Sequence, residues 1–178
     1  MSHSAMLKKM RWLNRALLVP VLCAPLASLA AGTLNLQEKA PYEKGMPVPE
    51  AVRVECGLEG KVVELVHLAA GKSFDKVVLV EDASKPGAGR SLAMKITGIT
   101  GTAGGAWSGA KFLTVDGTLR EQGKVIGTFR ATRASGGGAF GGYKGTCSIL
   151  GRCAKTLSED VVKWLAEPSM NAKLGDER

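Results

Sequence analysis

From Leu113 to Arg120 apolar and polar residues alternate. Leu113, Val115, Gly117 and Leu119 fall on one side, and Thr114, Asp116, Thr118 and Arg120 on the other. A period of two is that of a strand with one buried face. The pattern returns from Lys124 to Arg133, with Val125, Gly127, Phe129 and Ala131 set against Thr128, Arg130 and Thr132, and Ile126 out of phase. Glu121, Gln122 and Gly123 between the runs predict a three-residue turn with a bulge, Gly123 taking a positive φ. An antiparallel pair with one apolar face needs a cover on that side only.

The following segment can supply that cover. Leu150, Cys153, Leu157, Val161 and Trp164 recur at steps of three and four, the apolar stripe of a helix. Thr146 reads as its N-cap, Thr156 with Glu159 as a capping box where the helix can restart, and Pro168 as its stop. Upstream, Leu58, Val62, Leu65, Val66 and Ala69 also have helical spacing and end at Gly71; a strand over Val62 to Leu68 is the alternative. Lys76 to Glu81 is a short apolar run, and Ser91 to Thr97 alternates through Leu92, Met94 and Ile96. Both read as strands. The loops between strands are too short for parallel crossovers. The expectation is an α+β, two-layer fold: an about four-stranded, mainly antiparallel sheet with two helices on one face and water on the other. One domain spans residues 51–168. Residues 31–50, with Pro41, Pro47 and Pro49, read as an extended N-terminal arm, and 169–178 as a disordered tail.

Residues 1–30 have the layout of a signal peptide. Lys8, Lys9, Arg11 and Arg15 precede an apolar stretch beginning at Ala16, and Ser28-Leu29-Ala30 fits a small-x-small cleavage site. Pro20 and Pro25 interrupt the stretch, which is too short for a comfortable membrane span; an uncleaved anchor is the alternative. Cys23 follows Leu22, where lipid attachment requires a small residue. The expectation is export to the periplasm, with no stable membrane span after cleavage. Those four basic residues also carry half of the formal charge of +8, so the mature chain keeps about +4. Neither a basic stripe nor interleaved aromatics is present, which argues against nucleic acid as a partner.

The mature chain retains Cys56, Cys147 and Cys153, and an oxidising compartment permits a disulfide. If residues 147–153 are helical, those two cysteines stand about 9 Å apart along the axis and point to different sides, so they cannot bridge. Cys56 is then expected to pair with one of them. Cys147, at the helix start beside a glycine loop, is favoured; Cys153 lies on the apolar stripe and reads as a buried thiol.

Candidate chemistry is sparse. The loop Gly136 to Gly145 lacks the G-x-x-x-x-G-K-[ST] order of a phosphate loop, although its backbone and Lys144 can attract an anion. His67 has no second ligand at zinc spacing, and G-x-S-x-G is absent. Glu81–Asp82 and Glu159–Asp160 are sequence neighbours that point apart, and they read as a strand end and a solvated helix face. Trp107 and Tyr143, with Phe140, flank glycine loops; Trp107, Tyr143 and Lys144 form the candidate ligand-binding set. No catalytic residues, metal or cofactor are expected.

The run GKVIGTFRATRASGGGAFGGYKGTCSILGRCAKTLSEDVVKWL resembles small uncharacterised exported proteins of Gram-negative bacteria over residues 55–167, with matches at Cys56, Gly136–Gly138 and Cys147. Its order of late hairpin, glycine loop and final helix is loosely similar to the α/β domains of envelope accessory lipoproteins of the curli-secretion and penicillin-binding-protein activator types. The resemblance brings no catalytic role. The function expected is that of a non-enzymatic periplasmic protein contacting an envelope protein, of unknown identity, through its exposed sheet face (Thr114, Thr118, Arg120, Thr128, Arg130) or an edge strand. Binding of a small ligand or glycan at the glycine loops is the alternative.

Overall fold

The computed structural model describes residues 32–85, 89–100, 109–136 and 144–177. The leader, Cys23, Trp107, Phe140, Tyr143 and the centre of the glycine loop lie outside the described residues.

The alternating runs form the hairpin of β4 (Lys111–Glu121) and β5 (Lys124–Ser135). Leu113, Val115, Gly117 and Leu119 are buried, as are Gly127, Phe129 and Ala131 opposite them. The turn has two residues rather than three. Gln122 (φ 51°) and Gly123 (φ 80°) are both left-handed, as a type I′ turn requires. The irregularity lies within the strand: Leu119 opposes Gly127 while Arg120 opposes Val125, leaving Ile126 extra. This shift corrects the expected facing. Val125 is exposed beside Arg120, and Ile126 packs against the core.

The fold is α+β, but among the described residues the sheet has six strands and is mixed, not four and mainly antiparallel. β3 (Arg90–Thr100) pairs antiparallel with β4, burying Leu92, Met94 and Ile96. The parallel pairs come from the segments expected to be arm and tail. β1 (Thr33–Gln37) lies between β3 and β2 (Lys76–Val80), parallel to both, and β6 (Ala172–Gly175) runs parallel to β5. The order is β2-β1-β3-β4-β5-β6. β2 and β3 both run parallel to β1 and flank it, so the chain crosses from one to the other past β1; contrary to the expectation from loop length, the shortness of that connection does not exclude a parallel arrangement. Leu34 and Leu36 alternate with Thr33, Asn35 and Gln37 and are wholly buried, which supplies the energy for seating β1 in the middle of the sheet.

Three helices, not two, are present among the described residues: α1 (Glu50–Cys56), α2 (Leu58–Ala70) and α3 (Thr146–Ala166). Gly57, left-handed at φ 54°, breaks what the spacing presents as one helix into α1 and α2. α3 runs without a restart at Thr156; its N-cap is Gly145 rather than Thr146. Leu150, Cys153, Leu157, Val161 and Trp164 are all buried against the sheet or α2.

Two inward glycines make room for two aromatic rings. A Cβ on Gly117 would collide with the ring of Phe129, and one on Gly127 would lie 2.6 Å from Trp164 Cζ2. The rings meet edge to face, with centroids 4.9 Å apart. At the other side of the helical layer a Cys56–Cys147 disulfide, with Cα atoms 4.9 Å apart, joins the end of α1 to the first turn of α3. Cys153 is buried, its Sγ 3.6 Å from the Lys111 carbonyl oxygen, and burial pushes its thiol up to about 11. Among the described residues no helix is long and apolar enough to cross a membrane.

Candidate functional site

All three helices pack on one side of the sheet. The other side carries the outward residues of β3, β4, β5 and β6, and two hydrogen-bonded rows cross it.

The first row is Thr97, Asp116 and Arg130. Arg130 Nε and Nη2 donate to Asp116 Oδ1 and Oδ2 at 2.8 and 2.9 Å, a bidentate pair between directly opposed residues of β4 and β5. Thr97 is the extra residue in the register shift between Ile96 and Gly98, and its hydroxyl donates to Asp116 Oδ1 at 3.2 Å. Burial alone would push the Asp116 carboxyl up; the hydrogen bonds and charge of Arg130, helped by Thr97 and Lys95, outweigh it and hold the group below the ordinary carboxylate range. Its hydrogen bonds to Asp116 raise the Arg130 guanidinium further above its already high ordinary value.

The second row is Thr114, Thr132 and Glu177. The two hydroxyls lie 2.9 Å apart, and Thr132 donates to Glu177 at 2.7 Å. Gly98 leaves the space beside Thr114: a Cβ there would lie 3.1 Å from the hydroxyl. At the rim, Lys95 pairs with Glu43 at 2.8 Å, and Thr128 accepts the Asn171 N–H at 2.8 Å. Between the rows and β6 lies an open groove of about 590 Å³, bordered by Lys95, Asp116, Thr118, Thr128, Arg130 and Lys173.

These contacts define what the surface can do. Asp116 is held ionised with both oxygens engaged, which suits it to anchoring Arg130 rather than to moving a proton. Charges of both signs cross the β-layer, with Glu43, Lys95, Asp116, Arg130 and Lys173 side by side in that order and Glu177 beside them. Such a surface offers directional, charge-matched contacts to a partner.

Thr114, Thr118, Thr128 and Arg130 therefore share the open face, as the alternation predicts, and Arg120 stands at its hairpin end opposite Val125. Sequence reasoning missed Thr97, Lys95, Glu43, Asn171 and Glu177 as members. Lys95 and Thr97 lie on the face of β3 opposite Leu92, Met94 and Ile96, so the alternation held their signal; Glu43 owes its place to the chain that bridges Tyr42 to Ile96, and the last two to β6. Lys144 precedes α3, but the described residues do not test its grouping with Trp107 and Tyr143. His67 lies in α2. Among the described residues no group of three or more His, Cys, Asp or Glu is placed to hold a metal.

Asp160 corrects a local reading. It is not on a solvated helix face: Arg133 Nε and Nη2 donate to its two oxygens at 2.7 and 2.9 Å, and its side chain is 14% exposed. Arg133 also reaches Asp176 at 3.1 Å. A smaller hollow of about 380 Å³ opens beside this pair, between the end of β5 and α3.

No protein-family model and no curated protein matches this chain. Solved structures do match. One, described as an uncharacterised protein, has a TM-score of 0.51 at 15% identity over 77% of this chain and 94% of that one, and shows the fold. A DUF330 protein from Xanthomonas campestris has a TM-score of 0.48 at 12% identity, covering 80% of this chain and 89% of its own. A minor lipoprotein from Acinetobacter baumannii has a TM-score of 0.40 at 14% identity, covering 75% and 90% respectively. The likeness to the first of these shows the fold alone.

Proposed function

We propose that this chain is a non-enzymatic protein of the periplasm that contacts an envelope protein through the open face of its sheet. The observation that carries the reading is the Thr97–Asp116–Arg130 row, with Thr114–Thr132–Glu177 beside it. Side chains already fixed by one another lose little further freedom on docking, so their charge pattern is available as specificity. The compartment rests on two supports. The first 30 residues have the layout of an export signal, and a disulfide joins residues 91 apart in sequence, which an oxidising environment maintains.

The partner envisaged is polar and carries both charge signs, matching Lys95, Arg130 and Lys173 against Glu43, Asp116 and Glu177. The test is a photo-crosslinking residue placed at Thr118, in the groove, and in parallel at Glu159 on α3. Capture of one discrete envelope protein from position 118, lost when Arg130→Glu reverses the row, supports the reading. A rise in melting temperature with a small molecule or glycan, without position-dependent capture, replaces it with a ligand-binding role.

A further inference from the structure

Among the described residues the sheet has two free edges, and they are unlike. β6 is four residues long, ends at Gly175 in a left-handed conformation (φ 72°), and carries Lys173 with Asp176 and Glu177 just beyond. Short length, charge and a backbone kink are the usual ways in which an edge is blunted. β2 is five residues long and has neither a charge nor a kink after its first residue. Lys76-Val77-Val78-Leu79-Val80 is free of proline and glycine, with its one charge at the start. Leu79 stands beside Leu36 of β1; Leu36 is wholly buried, yet Leu79 is 47% exposed on the helix side of the sheet. The apolar row of the core thus continues into β2 without cover.

We propose that β2 is the seat of a symmetric homodimer in which the β2 strands of two copies pair antiparallel about Val78. The backbone fixes this register. The Val80 carbonyl accepts the Glu38 N–H at 2.9 Å, so Val80 and, two residues earlier, Val78 turn their peptide groups toward β1. Val77 and Leu79 then turn theirs to the free edge. Antiparallel pairing about Val78 sets Val77 of each copy against Leu79 of the other as hydrogen-bonded pairs. It also covers both exposed leucines on the helix side and brings Val78 opposite Val78 as a non-hydrogen-bonded pair on the open side. Lys76 comes to lie opposite Val80 and diagonal to Asp82 of the second copy, within reach of a long side chain. The strand is self-complementary in charge: its basic start meets the acidic end, Glu81 and Asp82, of its twin.

A second copy is the occupant because one two-fold axis satisfies the free peptide groups, the uncovered Leu79 and the end charges together, and then closes. With that axis perpendicular to the sheet, both open faces look the same way. The dimer stands independently of what the open face binds.

The mature chain is tested by sedimentation over micromolar to hundred-micromolar concentrations, with Val78→Cys as a reporter. The expected result is a monomer–dimer equilibrium and, under mild oxidation of the Val78→Cys variant, a disulfide between the substituted positions of two copies. Leu79→Lys should weaken dimerisation by about tenfold or more, Lys76→Asp should weaken it as well, and Lys76→Asp with Asp82→Lys should restore it. Circular dichroism identifies any variant that fails to fold, and the Val78→Cys cross-link does not depend on Leu79→Lys folding. A chain that stays monomeric without the cross-link overturns the proposal. So does a dimer indifferent to a folded Leu79→Lys, or an open series of larger assemblies.

Discussion

Arg133, on β5, holds both carboxylate oxygens of Asp160, on α3, at 2.7 and 2.9 Å, and so fastens the sheet to its roof at a point where neither side chain is more than about a quarter exposed. The same guanidinium reaches Asp176 beyond β6, so one residue joins the last three elements of the chain. Asp160 and Asp176 hold it charged, above its ordinary range, against the opposing effect of burial.

Arg133→Lys keeps the charge and loses the fork. It should cost about 1–2 kcal/mol, and Asp160→Asn about the same. Their combination should cost clearly less than the sum, because either change alone leaves a half-buried partner behind. Urea denaturation of the four proteins in a double-mutant cycle checks this.

The aromatic pair predicts a second non-additivity. Gly117→Ala should cost about 1–3 kcal/mol, since the added Cβ meets the buried Phe129 ring. Phe129→Leu alone should cost a similar amount by leaving a void against Trp164. The double variant should recover part of the loss, read from thermal or urea midpoints, because the smaller side chain makes way for the methyl group.

Reducing the disulfide should lower stability by about 2–5 kcal/mol, the range for a bridge closing a long loop. The two α1–α3 attachment points lie 91 residues apart. Denaturant midpoints with and without dithiothreitol measure the effect. Cys56→Ser should reproduce it and make the protein indifferent to the reductant. Cys153 should behave differently. With its thiol pushed to about 11 by burial, it should resist iodoacetamide at pH 8 in the native state and react once the chain unfolds.

Asp116 predicts the acid limb of stability. Its folded carboxyl titrates lower than the unfolded value of about 3.9. Its contribution is therefore fully present above that value and is lost as pH falls through the folded one. Asp116→Asn should flatten the fall in stability below about pH 4, and Arg130→Ala should move the same limb. Denaturation midpoints from pH 2 to pH 7 make the comparison.

Much of the hairpin and the last helix was legible from residue order. The alternation through Leu113–Leu119 and the stripe from Leu150 to Trp164 each bury one face, and both appear as read. Cys56–Cys147 was legible because helix geometry kept Cys147 from Cys153, and the place of Cys153 on the apolar stripe favoured Cys147 at the helix start as the partner of Cys56. β1 was overlooked because Pro41, Pro47 and Pro49 dominate its neighbourhood; the alternation of Leu34 and Leu36 before them held the signal. β6 offered only Ala172 and Leu174. A pair of short strands that take their stability from neighbours already in place has little pattern of its own. The facing of Val125 was hidden by a bulge, whereas the alternation of Leu92, Met94 and Ile96 already set Lys95 and Thr97 on the open face. Arg133–Asp160 was beyond local reading altogether, since its partners are 27 positions apart and meet only when α3 docks.

The proposed role of the open face as a contact surface for a protein is open to a test. Its most direct measurement compares photo-crosslinking from Thr118 with that from Glu159 in intact envelopes, for the native row and for Arg130→Glu. The expected result is one discrete adduct from position 118, absent from position 159 and abolished by the charge reversal. Equal capture from both positions, unaffected by the reversal, would contradict it.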